Sequence, residues 1–540
     1  MLPALLAIFA VLWFGTLDYR KLIKPDEGRY AEIPREMVAT GDWLTPRLNG
    51  IKYFEKPALQ YWTTATAFTL FGEHHWTARL WSALSGFLGV LVTFFTTRRL
   101  WGDTPALYAA GVVGSSLLWV IIGHVNTLDM GVSFFLSGAI FSFALAQHDQ
   151  ASAAENRRYM WLAWIALALA VLSKGLIGLL LPGATLVIYS LWQRDFGLWR
   201  RLHLLSGLGL LLAVTAPWFI AVSLVNPEFA RFFFIHEHFE RFLTKVHGRY
   251  QPLWYFIPVL LVGMLPWLAA LPAALRQAFE VEPQRRFQPQ RFLLLWCLVV
   301  FGFFSVSGSK LASYILPLFP ALAVLLGLFL SKRSNGGLFR WQAIPIAALA
   351  LVCLFAAPQV VELSSPEVPL PLYADYVPWL QSASLLLLCG AVISAACAWC
   401  AKPTASMLSL AFGGMLCSQL ILLGHDSLAP ANSAYQTVER IRDQVKPEDP
   451  FFSVNTYDQT LPFYLKRTVT MVIYMDELAF GIAQEPDKFI ADRAGFEQAW
   501  QAAPRAWALM EPPTYRQFVK SGLPMQLVAQ DSRRMIVSKP

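Results

Sequence analysis

The sequence predicts an all-α, polytopic membrane domain followed by a small soluble α/β domain. Three observations predict it. Of the 540 residues, 56% are hydrophobic and only 14% charged, whereas ordinary soluble chains carry about 45–50% and about 25%. The apolar residues gather into runs that approach the about 17–25 residues a bilayer crossing requires. After residue 425 the composition becomes that of a soluble domain. A soluble multidomain enzyme is thereby excluded, and the 20 Trp and 39 Phe agree, because aromatic rings collect at membrane interfaces. The formal charge of +8 would suggest a nucleic-acid partner in a soluble chain. Here the basic residues lie between apolar runs and read as topology signals, with no nucleic acid implied. Cys297, Cys353, Cys389, Cys397, Cys400 and Cys417 all lie in apolar segments, which argues against a disulfide framework or a zinc ribbon.

The first run, residues 1–16, has no basic n-region and no small-residue cleavage site, so it reads as a retained anchor. An outer loop follows, 17–57, dense in charge. Within it, from Gly28 to Thr40, Tyr30, Ile33, Met37 and Val38 share one helical face and Arg29, Glu32, Arg35 and Glu36 the other, the pattern of an amphipathic helix lying in the interface. Segment 58–72 is short and holds Gln60, Tyr61, Trp62, Thr63, Thr64 and Thr66; it reads as an interfacial or half-buried helix, with a true crossing as the alternative, and closes a first outer loop of 17–75. Further apolar runs lie near 76–97, 104–123, 130–147, 159–173, 175–192, 204–224, 253–275, 292–308, 314–331, 341–357, 378–400 and 404–424. Counting the anchor, that makes about thirteen spans in a membrane domain of residues 1–425.

Alternate loops hold the basic residues: Arg98 and Arg99; Arg157 and Arg158; Arg194, Arg200 and Arg201; the run from Arg276 to Arg291; Lys332, Arg333 and Arg340. These loops are cytoplasmic by the positive-inside rule, which puts the N-terminus inside and residues 426–540 outside. In that outer domain, 433–445 has helical spacing, 451–454 and 468–474 read as strands, 496–502 as helix, and 505–510 and 525–537 again as strands.

Charged side chains at membrane depth cost about 2.5–3.5 kcal/mol each and by default mark a site or a watery cavity. By this topology Asp26, Glu55, Lys56, Asp129, Lys174, Lys310 and the stretch His236, Glu237, His238, Glu240, Arg241 all open on the outer face. Simpler readings stand beside each. Asp26 suits a helix N-cap as well as a reacting centre, and Glu27 a first-turn carboxylate. Asp129 suits a cap of the following span and Lys174 a snorkelling cation. Arg79 suits either the interface or a partner among the loop carboxylates. His236 and His238, two residues apart, do not share a helix face, so one His with a distant carboxylate such as Glu55 is the feasible metal pair.

Several stretches resemble a known family. They are Pro25-Asp26-Glu27-Gly28-Arg29-Tyr30, Gly41-Asp42-Trp43, Tyr53-Phe54-Glu55-Lys56-Pro57, Thr127-Leu128-Asp129, Ser173-Lys174-Gly175, the stretch from His236 to Arg241, Ser309-Lys310-Leu311 to Tyr314, and Leu461-Pro462-Phe463-Tyr464-Leu465. In this order they resemble the 4-amino-4-deoxy-L-arabinose lipid A transferases, membrane glycosyltransferases of the GT-C fold related to protein O-mannosyltransferases. The resemblance implies transfer of that sugar from an undecaprenyl phosphate donor to lipid A phosphate, at the periplasmic face of a bacterial inner membrane, in a lipopolysaccharide modification that gives polymyxin resistance. It implies a chain that acts as a monomer among membrane lipids. Matched by motif, Asp26 is the carboxylate at the reacting centre and Asp129 lines the sugar or acceptor side. Lys56, Lys174 and Arg241, with Tyr314, bind the carrier phosphate, and Glu55 and His236 hold a divalent metal, zinc.

The chemistry agrees with the resemblance. Breaking the bond from sugar to carrier phosphate builds negative charge on the departing phosphate, and cations placed beforehand are the largest available catalytic contribution. The chain has no nucleotide-binding Gly-rich loop, which suits a donor delivered through the membrane. A hydroxyl acceptor would require a carboxylate base, whereas a phosphate acceptor is already ionised, so Asp26 is either a base or a positioning group. A single displacement predicts inversion at the anomeric carbon. Two other classes fit less of the pattern: a relative moving another sugar or using a protein acceptor, and a lipid-linked sugar transporter. A transporter would hold its charges at the midplane between symmetric repeats.

Overall fold

The computed structural model describes residues 2–240, 251–332 and 336–540. The chain opens with α1 (Leu2–Phe14), then α2 (Asp26–Thr40), a short antiparallel pair β1 (Arg47–Leu48) and β2 (Ile51–Lys52), and α3 (Leu59–Phe71). Next come α4 (His75–Trp101), α5 (Asp103–Ser115), α6 (Leu117–Gly123), α7 (Leu128–Gln147), α8 (Ala153–Lys174), α9 (Ile177–Gln193) and α10 (Leu204–Val225). A π-helical segment, Arg231–Glu240, precedes the helices Phe256–Gly263, Leu271–Ala278, Pro289–Val306, Phe319–Ser331, Gly336–Ala356, Leu370–Trp399 and Pro403–Gly424.

Among the described residues eight helices are long and apolar enough to cross a membrane, or nine if α5 and α6, bent by 64°, form one span. The expected count of about thirteen is larger for physical reasons that can be named. Three of the expected runs are the shorter apolar helices of 1–16, 175–192 and 253–275. α8 carries Glu155, Arg157 and Arg158 in its first turns, where Ser152 and Glu155 cap each other's backbone N–H groups. Small residues let the long helices approach: a Cβ on Gly390 would lie 2.7 Å from the Cα of Gly413, so the helices Leu370–Trp399 and Pro403–Gly424 touch through their backbones.

The C-terminal region is a mixed sheet in the order β5-β4-β3-β6-β8-β7, built from β3 (Phe451–Val454), β4 (Thr470–Val472), β5 (Phe489–Ile490), β6 (Trp507–Met510), β7 (Gln526–Gln530) and β8 (Met535–Ser538). Strands β3 to β6 pair in parallel and β8 pairs antiparallel with both β6 and β7. The helix expected over 433–445 is confined to Tyr435–Glu439, beyond which three-residue turns at Ile441 and Gln444 take over the backbone hydrogen bonds. The helix Pro512–Lys520 was unforeseen, although Pro at its first turn is a start signal.

α2 departs from expectation. It does not lie with one face in an interface; Glu27 through Met37 are all buried, both faces included. Its apolar face shares one core with Tyr61, Ala65 and Phe68 of α3 and with Val438, Leu461 and Phe463 of the C-terminal region. Its N-terminal turn presses on that region so closely that a Cβ on Gly28 would lie 2.6 Å from the Gln459 carbonyl carbon. Only glycine fits there. Asn49 completes the junction, donating to the Val469 carbonyl (2.7 Å) and accepting the Val469 N–H (2.7 Å).

Candidate active site

A cavity of about 1240 Å³ opens where α2, α7, α8, the segment before α3 and the π-helical segment meet the C-terminal region. Seven of the eight candidate residues line it: Asp26, Glu55, Lys56, Asp129, Lys174, His236 and Tyr314. The eighth, Arg241, lies outside the described residues.

Asp26 is the first residue of α2, whose N-cap position belongs to Pro25, so its carboxylate caps nothing. It accepts from Arg29 Nη1 at 3.2 Å and is 36% exposed toward the cavity. Glu27, one residue on, points the other way. It is fully buried and takes two hydrogen bonds from Arg79, at 2.7 Å from Nε and 2.8 Å from Nη2. Arg79 also donates to the carbonyls of Leu17 (2.9 Å), Arg20 (2.6 Å) and Lys21 (2.9 Å), while Glu27 accepts the backbone N–H of Asn126 (3.1 Å). Burial alone would raise the Glu27 carboxyl; the Arg79 guanidinium outweighs it and holds the group at about 2. The two adjacent acids therefore have separate jobs, Glu27 pinning the loop to α4 and Asp26 facing the cavity. The partner foreseen for Arg79 among the loop carboxylates is Glu27.

A second cluster joins three elements. Lys174, the last residue of α8, forms an ion pair with Asp129 in the first turn of α7. Asp129 also accepts from Ser313 Oγ (2.6 Å), and the Lys174 ammonium lies 4.4 Å from the centre of the Tyr314 ring. Thr127 takes the N-cap position of α7, so Asp129 is not its cap. Elsewhere in the lining, Lys56 Nζ lies 3.3 Å from Glu237 Oε2 and 3.9 Å from Glu55 Oε2. The His236 ring stacks on Phe232 and Phe232 on Phe480, with centroids 5.0 and 3.8 Å apart.

Glu55 and His236 bring a carboxylate and an imidazole to this cavity, both donor types that zinc accepts. Among the described residues no three such groups come together in a metal-binding cluster, and the Lys56 ammonium already stands between the Glu55 and Glu237 carboxylates.

The C-terminal wall of the cavity went unforeseen. Gln459, Asp476, Glu477 and Phe480 line it, and Glu477 pairs with Arg29 and accepts from Gln459 Nε2 (2.6 Å). Burial raises the Glu477 carboxyl, with the Arg29 charge opposing. The adjacent acids Asp476 and Glu477, directly after an expected strand, were the available signal.

Both parts of the chain are similar to known proteins. Residues 437–539 match the aminoarabinose transferase C-terminal domain family, and residues 1–232 the dolichyl-phosphate-mannose-protein mannosyltransferase family. The crystal structure of ArnT from Cupriavidus metallidurans bound to undecaprenyl phosphate is 39% identical and superposes with a TM-score of 0.94, over 98% of this chain and 96% of that one. The chain belongs to the aminoarabinose transferase family. Among sequence relatives, undecaprenyl phosphate-alpha-4-amino-4-deoxy-L-arabinose arabinosyl transferase 1 of Pseudomonas fluorescens is 37% identical over 63% of this chain and 62% of its own length. The corresponding transferase of Aeromonas salmonicida is 37% identical over 65% and 64%. The matched stretch thus spans less than two thirds of these two aminoarabinose transferases, whereas the ArnT crystal structure is matched nearly end to end.

Proposed function

We propose that this protein moves 4-amino-4-deoxy-L-arabinose from undecaprenyl phosphate to a phosphate of lipid A, at the periplasmic face of the bacterial inner membrane. The observation that carries the proposal is the convergence of Asp26, Lys56, Asp129 and Lys174, from four separate segments, on one cavity. Membership of the aminoarabinose transferase family supports the choice of sugar and carrier.

In the proposed reaction an oxygen of the ionised lipid A phosphate attacks the anomeric carbon. The bond from that carbon to the carrier oxygen breaks, its electron pair leaves with undecaprenyl phosphate, and the configuration inverts. Lys56 and Lys174, with Arg241 as a third cation, take up the charge that grows on the departing phosphate. Both lysines are held by carboxylates, Lys174 by Asp129 and Lys56 by Glu237, so their positions are set before the donor arrives and little reorganisation accompanies the reaction. Asp26 has no proton to remove from an ionised phosphate and acts as a positioning group at the reacting centre. Glu55 and His236 are the residues that would hold a divalent metal, zinc in the family resemblance, which when bound adds positive charge near the carrier phosphate. None of the steps above depends on it.

The test is incubation of the purified protein with undecaprenyl-phosphate aminoarabinose and lipid A, with mass spectrometry for the added sugar. We expect one aminoarabinose per modified phosphate. No addition under conditions where the Cupriavidus metallidurans ArnT is active would overturn the proposal.

A further inference from the structure

At the opposite end of the membrane domain, two crevices flank the last turns of α4. One, about 180 Å³ and almost wholly apolar, lies among α1, α4, α5 and the helix Pro403–Gly424. The other, about 600 Å³, lies among α4, α7 and α8. They share two residues, Phe95 and Arg98. Leu91, Phe95 and Arg98 are three and four apart along the helix, so they form a ridge, with Phe94 on the side of the first crevice and Thr96 and Arg99 on the side of the second. Phe95 is 58% exposed at the crest.

We propose that this ridge is a binding site for one anionic glycerophospholipid of the cytoplasmic leaflet, its phosphate on Arg98 and Arg99 and its two acyl chains straddling Phe95, one in each crevice. Three features argue for that occupant. The crevices are paired on either side of one exposed ridge, matching two hydrocarbon chains joined at one head. The arginines stand at the end of α4 that the distribution of basic loops assigns to the cytoplasm, where a lipid phosphate lies. Their present partners are easily exchanged: Arg98 pairs with Asp103 at 2.6 Å and Arg99 with Glu155 at 2.9 Å, both guanidinium groups being more than half exposed, and exposed ion pairs contribute about 0–1 kcal/mol. A guanidinium pair on one phosphate makes stronger, charge-assisted bonds. This site is independent of the transferase reaction and would stand if another sugar or acceptor proved correct.

The experiment is native mass spectrometry of the full-length protein in detergent, titrated separately with phosphatidylglycerol and phosphatidylcholine of the same chains. The wild type is expected to retain phosphatidylglycerol preferentially. R98Q/R99Q should lose about tenfold in apparent affinity for phosphatidylglycerol and with it the preference, the equivalent of roughly 1.4 kcal/mol. A second variant addresses the crevice itself. Gly138 lines the larger one, and a Cβ there would meet nothing nearer than Ala166 Cβ at 3.8 Å. Gly138→Leu therefore extends into the space, favours the helix of α7, and should reduce retention with both arginines present. Arg340→Gln, on the same side but away from the crevices, should change nothing. Equal retention of the two lipids by the wild type, unchanged retention in R98Q/R99Q or in Gly138→Leu, or an equal loss in Arg340→Gln would each overturn the proposal.

Discussion

Replacing Glu27 by Gln tests how the loop bearing Asp26 is held. The substitution keeps the shape and one acceptor oxygen but leaves the fully buried Arg79 guanidinium with three carbonyls and without its ion-pair partner. Removing one partner of a buried pair costs about 3–5 kcal/mol, because the other charge stays desolvated. The depression of the Glu27 carboxyl from 4.5 to about 2 leads independently to about 3 kcal/mol at 1.36 kcal/mol per pH unit. Both routes predict a loss of about 3 kcal/mol, read by SDS-titration unfolding in mixed micelles with tryptophan fluorescence. The double variant Glu27→Leu/Arg79→Leu should be less destabilised than the two single changes together, since no lone charge remains. Glu27→Gln within about 0.5 kcal/mol of wild type, the range of ordinary surface substitutions, would refute the assignment of this pair as the loop's anchor.

The same pair sets an acid limit. Because the folded-state value of Glu27 lies below its unfolded one, its contribution is complete above about pH 4.5 and is lost as the pH falls from there through about 2; a pH series of unfolding midpoints should show that loss in wild type and not in Glu27→Gln. Lys56→Ala and Lys174→Ala should each lower kcat/KM by 10²- to 10³-fold, the scale of losing one preplaced charge at a developing anion, measured by mass spectrometric sugar transfer, and rates within threefold would remove that residue from the phosphate site. Asp26→Asn should abolish detectable transfer while leaving the unfolding midpoint unchanged, since Asp26 caps no helix and is partly exposed. Metal analysis should find less bound divalent cation in Glu55→Ala and His236→Ala than in wild type, and equal content in all three would place any such ion elsewhere. Gly28→Val should loosen the junction of α2 with the C-terminal region, seen as faster proteolysis between residues 440 and 470; an unchanged cleavage rate would show that the close approach at Gln459 carries no constraint.

Where one signal dominated, sequence reading came close to the structure. Apolar runs located the membrane helices, and the parallel core strands β3, β4 and β6 stood out as short β-branched or aromatic runs. Of the charges beside spans, Asp26, Glu55, Lys56, Asp129 and Lys174 line one cavity and Lys310 does not; an ionisable group at such a position has few other places to go. What escaped was tertiary. The period of α2 is that of a helix with one wet face, yet Arg29, Glu32, Arg35 and Glu36 are buried, with Arg29 satisfied by Glu477 from the far end of the chain and Glu32 by Arg35 on its own helix. Periodicity cannot report a partner more than four hundred residues away. The same holds for the cavity wall at Asp476 to Phe480, whose role depends on docking, and for α1, α9 and the helix Phe256–Gly263, whose apolar runs are too short to be judged by length alone.

The junction between α2 and the C-terminal sheet has a consequence for how this protein comes into being. Asn49 exchanges two hydrogen bonds with Val469, 420 positions later, and the core beneath Tyr30 and Ile33 is closed by residues that run as far as Ile536. During synthesis the loop bearing Asp26 can pack on α3 early, but the rest of its core stays open until the last strands have been made and paired. A chain cut short after the Pro403–Gly424 helix would keep the membrane helices described above and lack the Gln459, Asp476, Glu477 and Phe480 wall of the cavity. Completion of the polypeptide is thus required before the Gln459 to Phe480 wall can close the cavity.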